Sequence, residues 1–430
     1  MVAPLSHARY LLVWGTLAAA CIGLVAATNL LVDPYGIFGF INQDGFNRLK
    51  PHAGANGVMS KAYQIQRATP RTLLLGNSRV EVGFDPESPA WPQNARPVFN
   101  LGLPGTGPIT SLRYLQHALA SSQPGYVVLG VDFMDFLVQA EDRAPRVAAG
   151  PPAMERRLLV TPSGERNRTR YRQQIEDFAS SALSLDAFFH SVSTVLAQHK
   201  PYAAHLTPLG FNPMHDYEGI ARQEGYYVMF RQRDEENARA YLRRPSAIYQ
   251  RGTLTSPQLD VVGRIIALCR ERGIQLRLVI YPYHAHLLET FDAAGLWPQF
   301  EEWKRALARL AADAQAGGEG ASIQLWDFSG YNAMTTEAVP VAGDRRSQTR
   351  WYWEAGHFKH ELGDAMLRRM FGEGRADAVV AEGAPLTPAN VEQTNVRLRR
   401  EQAWYRQNFP DDARAMRELV RHIEARDAKR

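Results

Sequence analysis

Two cysteines among 430 residues cannot make a disulfide framework, and neither has the Cys/His spacing of a structural zinc site. Cys21 lies in an apolar segment. Cys269 ends a helical stretch, residues 262–269, and reads as a buried core thiol. An exported domain of this size does not need disulfides, so their absence leaves export open. No Lys/Arg run is interleaved with aromatics, and a formal net charge of +5 is too small over this length to argue for nucleic acid. His284 and His286 stand two apart, but no acid or Cys beside them completes a ligand set, so no metal and no cofactor are expected.

Charge is missing altogether from residues 10–32, YLLVWGTLAAACIGLVAATNLLV. At about 1.5 Å per residue this segment crosses a bilayer core of about 30 Å. Arg9 just before it favours a cytoplasmic N-terminus, which puts the rest of the chain outside the membrane. A cleaved signal peptide ending at Val25-Ala26-Ala27 is the rival reading. The continuing apolar character of Leu30, Leu31 and Val32 favours an uncleaved anchor. Ala18-Ala19-Ala20-Cys21 is a loose lipoprotein-like site without the usual leading Leu.

Residues 33–70 read as a loop-rich linker. Beyond it, short apolar runs alternate with helical patterns: strands at 72–75, 98–101, 126–131, 276–280 and 322–326, with helices at 111–120, 256–273, 303–314 and 359–371. Runs with no polar break are strands buried on both faces, so the fold class is α/β with a parallel sheet between helical layers. Residues 139–250 interrupt this rhythm and read as an insertion or cap, with one clear helical region at 171–198. The α/β domain spans 71–372. Residues 373–430 form a helical appendage whose second helix, starting at Pro410, carries Met416, Leu419, Val420 and Ile423 as a stripe that packs on the domain or on a partner, the domain being favoured.

The chemistry centres on residues 71–81, RTLLLGNSRVE. The strand 72–75 stops at Gly76, and Ser78 then stands at the carboxyl edge of the sheet, where open α/β proteins place ligands. A Ser there suits a nucleophile whose backbone N–H helps to hold an oxyanion. The simpler account is a strand and a turn that happens to contain Ser. A nucleophilic Ser needs an imidazole base and an acid to orient it. In WYWEAGHFK, Glu354 and His357 are three apart on a loop before a helix, which lets the carboxylate hold one ring nitrogen while the other faces outward. A surface Glu near an unrelated His fits the same spacing. His284, after the fourth strand, is a candidate substrate contact, although a structural His is the better reading. Arg79 can hold a substrate carboxylate or pair with an acid such as Glu81.

Taken in order, Gly-x-Ser78, Asn100-Leu-Gly102-x-Pro104, a strand ending Gly130-Val-Asp132, and Glu354-x-x-His357 resemble the SGNH/GDSL hydrolase family over residues 70–135 and 255–372. The resemblance implies a flavodoxin-like three-layer α/β/α domain that hydrolyses or transfers acyl groups. It implies Ser78 as nucleophile, His357 as base and Glu354 in place of the usual Asp. The backbone N–H groups of Ser78 and Gly102 would be oxyanion donors. Asn77 replaces the acid that usually precedes the Ser. Asp132 stands where the family has an oxyanion Asn, and a carboxylate there would repel an oxyanion unless protonated. Asn77, Arg79 and Asp132 remain substrate-facing candidates. Anchored members of this kind act outside the bacterial inner membrane as O-acyltransferases or esterases on cell-surface polysaccharide, some beside a membrane-embedded acyl-transferring partner. A different class also fits: a non-catalytic carbohydrate-binding or scaffold protein of a polysaccharide assembly complex, for which Asp132 is the main support.

Overall fold

Five apolar runs become five parallel strands in the computed structural model of the chain, which describes residues 7–138, 152–243, 247–316, 321–372 and 379–428. They are β1 (Thr72–Leu75), β2 (Val98–Asn100), β3 (Tyr126–Val131), β4 (Gln275–Ile280) and β5 (Ile323–Asp327). β1 and β3 are buried along their whole length, which is why their sequences lack the alternation of a half-exposed strand. Two further strands, β6 (Tyr352–Glu354) and β7 (His357–Phe358), form a separate antiparallel hairpin, and β8 (Ala384–Pro385) adds an antiparallel edge beside β5. The large sheet has six strands in the order β2-β1-β3-β4-β5-β8. The fold is therefore α/β with a mostly parallel sheet.

The helices are α1 (His7–Val32), α2 (Gly57–Arg67), α3 (Ser78–Gly83), α4 (Pro108–Leu119), α5 (Pro152–Glu155), α6 (Arg170–Leu183), α7 (Leu185–Ala197), α8 (His215–Glu224), α9 (Tyr226–Arg243), α10 (Pro257–Glu271), α11 (Ala285–Ala293), α12 (Trp297–Ala316), α13 (His360–Phe371), α14 (Val391–Asn408) and α15 (Pro410–Asp427). α1 is the one helix among the described residues long and apolar enough to cross a membrane. α4 packs on α10 and α10 on α12, while α3 packs on α13. α15 lies on α9 and α11 through Met416, Val420 and Ile423, so the C-terminal stripe packs on the domain.

Several expectations need correction. The linker holds α2, whose buried face includes Lys61, Tyr63 and Ile65. The single helical region expected at 171–198 is two helices broken at Ser184, whose side chain accepts the Ala187 N–H and caps α7. The insertion also holds α8 and α9; its residues 139–151 and 244–246 lie outside the described residues, as do 1–6 of the anchor segment and 373–378 and 429–430 of the appendage.

One buried ring links the fold to pH. His117 on α4 accepts the Leu159 N–H at Nδ1 and donates from Nε2 to the Ala62 carbonyl, 2.9 and 2.8 Å away, so both nitrogens are used by the neutral form. Burial pushes its pKa down to about 4. An unfolded His takes a proton below about 6.5 while the folded ring resists until about 4, so His117 stabilises the fold fully above pH 6.5 and loses roughly 3 kcal/mol of that as the pH falls to 4. Thermal unfolding of the full chain in detergent at pH 7.5 and 4.5 is expected to show a smaller acid-induced drop in Tm for His117→Gln than for the unsubstituted protein.

Candidate active site

The strand order reverses at β1, so the carboxyl ends of β1 and β3 border the crevice in which doubly wound sheets bind ligands. Ser78 follows β1 and Asp132 follows β3. Gly76 makes the turn at a φ of +147°, and a Cβ there would meet Val80 Cγ2 at 2.6 Å, so only glycine fits between strand and helix. Asn77 caps α3 by accepting the Arg79 N–H at 3.0 Å, and Ser78 is the first residue of the helix.

The β6–β7 hairpin brings His357 to Ser78. Ala355 and Gly356 make its turn, and the Gly356 N–H donates to Glu354 Oε2. The expected loop is thus a hairpin, too short for a period of two to be read. His357 Nδ1 bonds Glu354 Oε1, and Nε2 lies 2.7 Å from Ser78 Oγ. With Nδ1–H donating to the carboxylate, Nε2 is free to accept the Ser78 proton. Gly83 permits the approach, since a Cβ there would lie 2.1 Å from the Phe358 ring beside His357. Glu354 is buried, which opposes its charge. The His357 ring, the Arg233 guanidinium and the Gly356 N–H outweigh that cost and hold the carboxyl below its ordinary range. Arg233, on α9, reaches Glu354 Oε1 with Nε at 3.1 Å. Nothing in the sequence singled it out, because it comes from the insertion, 121 positions before its partner (354 − 233).

Asp132 is buried and occupied. Its Oδ2 accepts Arg79 Nη1 and, at 2.9 Å, Asn77 Nδ2; its Oδ1 accepts the Tyr283 hydroxyl at 3.1 Å. Burial works against the Arg79 charge, but Asp132 and the surrounding tyrosines raise its pKa above the ordinary arginine value. The guanidinium lies 5.6 Å from the ring centres of both Tyr281 and Tyr283. Asp132 is thus one half of an internal ion pair, not a free charge aimed at an oxyanion. Arg79 does not pair with Glu81, which bonds Lys61 Nζ at 2.9 Å instead. Asn77 is the spacer that ties the Ser78 turn to this pair.

Two candidates change role. The Gly102 N–H donates to Asn100 Oδ1 at 2.8 Å, so it is already committed and not free for an oxyanion; the Gly102 carbonyl accepts Lys61 Nζ. Of the two backbone donors expected, the Ser78 N–H remains. His284 is buried with both ring nitrogens engaged: Nδ1 accepts the His286 N–H and Nε2 donates to the Glu337 carbonyl at 3.0 Å. Burial pushes its pKa well below the ordinary value. It is a neutral core residue, not a substrate contact. His286 pairs with Asp234 at 3.0 Å, and the described residues hold no cluster of three or more His, Cys, Asp or Glu fit for a metal. A cavity of about 230 Å³ lined by Tyr226, Trp353, Lys359 and His360 does not include Ser78 or His357 in its walls.

Comparison with known protein families and with curated proteins finds no match to this chain.

Proposed function

We propose that the chain is a serine-dependent acyl-ester hydrolase or O-acyltransferase of SGNH type, anchored by α1 with its domain on the periplasmic side of a bacterial inner membrane. The observation that carries the reading is the 2.7 Å contact between Ser78 Oγ and His357 Nε2, with Glu354 behind the ring. Support for the fold comes from the strand order β2-β1-β3-β4-β5, which is the flavodoxin-like order. Crossovers of the usual right-handed sense would set α4, α10 and α12 on one face and α3 and α13 on the other, which fits the α4–α10, α10–α12 and α3–α13 packing and a three-layer α/β/α arrangement.

In this reading Ser78 Oγ attacks the acyl carbonyl as its proton passes to His357 Nε2. Glu354 stabilises the imidazolium, and His357 then protonates the leaving alcohol as the Ser78 ester forms. Water or a sugar hydroxyl, deprotonated by His357, attacks that ester and releases Ser78. A polysaccharide hydroxyl as acceptor makes the protein a transferase, which fits an acyl-transferring partner in the same membrane.

The test is labelling of the full chain in detergent with a fluorophosphonate probe, with acetyl-ester release followed in the same samples. Glu354→Gln is expected to keep the fold but favour the wrong His357 tautomer, lowering the rate of both by roughly 10⁴-fold. One observation favours a second reading, a glycan-binding scaffold without turnover: the Gly102 N–H is committed to Asn100. Glycan binding by a folded chain that neither labels nor releases acetate would select it.

A further inference from the structure

The two insertion helices nearest the anchor expose large apolar side chains, and α7 turns its whole apolar stripe outward. Along α7 the buried face is Ala187, Ser191, Thr194 and Ala197, all small or hydroxylated. Leu185, Phe189, Val192 and Leu196 share the opposite stripe, and Phe189 and Leu196 are 65% and 67% exposed. α6 shares this in part: Gln173, Asp177 and Ser181 are buried and Ile175 and Leu183 face out, but Phe178 packs inward on Phe38 and Tyr63, and the exposed Arg172–Glu176 pair flanks Ile175 near the start of the helix, away from the corner. A helix covering a globular core in water has the reverse arrangement. This face is built for an apolar surrounding.

The position of α1 identifies that surrounding. Crossing a hydrocarbon core takes about 20 residues, roughly Tyr10 to Asn29. Residues 10–24 of α1 stand almost clear of the domain, a length of about 22 Å. From Val25 onward the helix is partly covered, and it packs against both α6 and α7. The last part of the span therefore runs beside the α6–α7 corner. The joint is polar but closed. Asn29 Nδ2 donates to the Ala182 and Ser184 carbonyls at 3.0 and 3.2 Å, and Ser191 Oγ donates to Asn29 Oδ1 at 2.9 Å. Asn29 is fully buried; the Ala182 carbonyl it caps is one left open at the end of α6, and the Ser184 carbonyl it also caps starts α7 by accepting the Phe188 N–H. A lipid environment demands this internal satisfaction of polar groups. Exposed cations, Arg168 and Arg172 at the start of α6 and Lys200 after α7, lie at the helix ends away from the corner, where anionic headgroups are met.

We propose that the α6–α7 corner is a second membrane-seated element. Leu183, Leu185, Phe189, Val192 and Leu196 lie in the acyl region of the leaflet on the domain's side, and the domain docks on the bilayer instead of hanging from α1. The occupant of the apolar face is lipid, because the face continues the surface of the spanning helix. This rests on α1 crossing the membrane and is independent of the chemistry at Ser78.

The test uses the full chain with Cys21→Ser, which leaves buried Cys269 as the remaining native thiol. Single variants Leu185→Cys, Phe189→Cys and Leu196→Cys carry a bimane label in vesicles of phosphatidylcholine and phosphatidylglycerol brominated along the acyl chain. Leu17→Cys on α1 and Val341→Cys on the exposed surface are the references. The expected result is quenching at the three corner sites comparable to Leu17 and absent at Val341. Corner labels that behave like Val341 overturn the proposal. Corner labels that stay unquenched but cross-link between copies overturn it in favour of a second chain on this face. An unquenched Leu17 removes the spanning helix itself and the proposal with it.

Discussion

Ser78→Ala is expected to abolish fluorophosphonate labelling and to lower acyl-ester turnover by about 10⁴- to 10⁶-fold, the range seen when a nucleophile that acts as a unit with its base is removed. The substitution deletes one hydroxyl and its 2.7 Å contact with His357. It leaves the Asn77 cap, the Arg79–Asp132 pair and the Gly76 turn in place, so Tm should hardly move. His357→Ala should give a similar loss without summing to twice the effect in the double variant, because base and nucleophile serve one step. Turnover that survives Ser78→Ala would assign the activity to another residue, and the Ser78–His357 contact would then have no catalytic meaning.

The second large effect is on stability. Asp132→Ala leaves the buried Arg79 guanidinium without its counter-charge, and breaking a buried pair in this way costs about 3–5 kcal/mol. Arg79→Met together with Asp132→Leu removes both charges and is expected to cost much less than Asp132→Ala alone. Urea unfolding of the three proteins measures the difference. Asp132→Asn asks a sharper question of the chemistry. If the carboxylate opposed an oxyanion, the amide would speed turnover. Because Arg79 already neutralises it, Asp132→Asn is expected to slow turnover by loosening the turn that carries Ser78. A faster variant would restore the repulsive role for Asp132.

The first three core strands were legible because burial on both faces leaves a short apolar run, and each runs into a Gly or an acid that marks the sheet edge; β4 and β5 were legible although Arg277 and Gln324 interrupt them. The Glu354–His357 pair was legible because its spacing is local. What could not be read was partner choice over distance. Arg79 has Glu81 two positions away, yet it pairs with Asp132, and Lys61 takes Glu81 from α2. Arg233 reaches Glu354 from an insertion whose sequence looks like solvated surface. Gly102 matched a motif by position, but its N–H had a nearer acceptor in Asn100. His284 stood at the right strand end with its ring turned into the core. On α7 the apolar period was visible, but a stripe does not say which solvent it faces.

The partners in the Ser78–His357 contact are 279 residues apart in the chain. At a synthesis rate of about 5–20 residues per second, His357 is added roughly 14–56 s after Ser78. Through that interval the growing chain carries an ordinary, unactivated hydroxyl. In the proposed reading, export and docking of the early strands can therefore proceed beside acyl donors without premature chemistry. In that reading the late hairpin, which follows all five parallel strands and precedes only the β8 edge, is what switches the protein on.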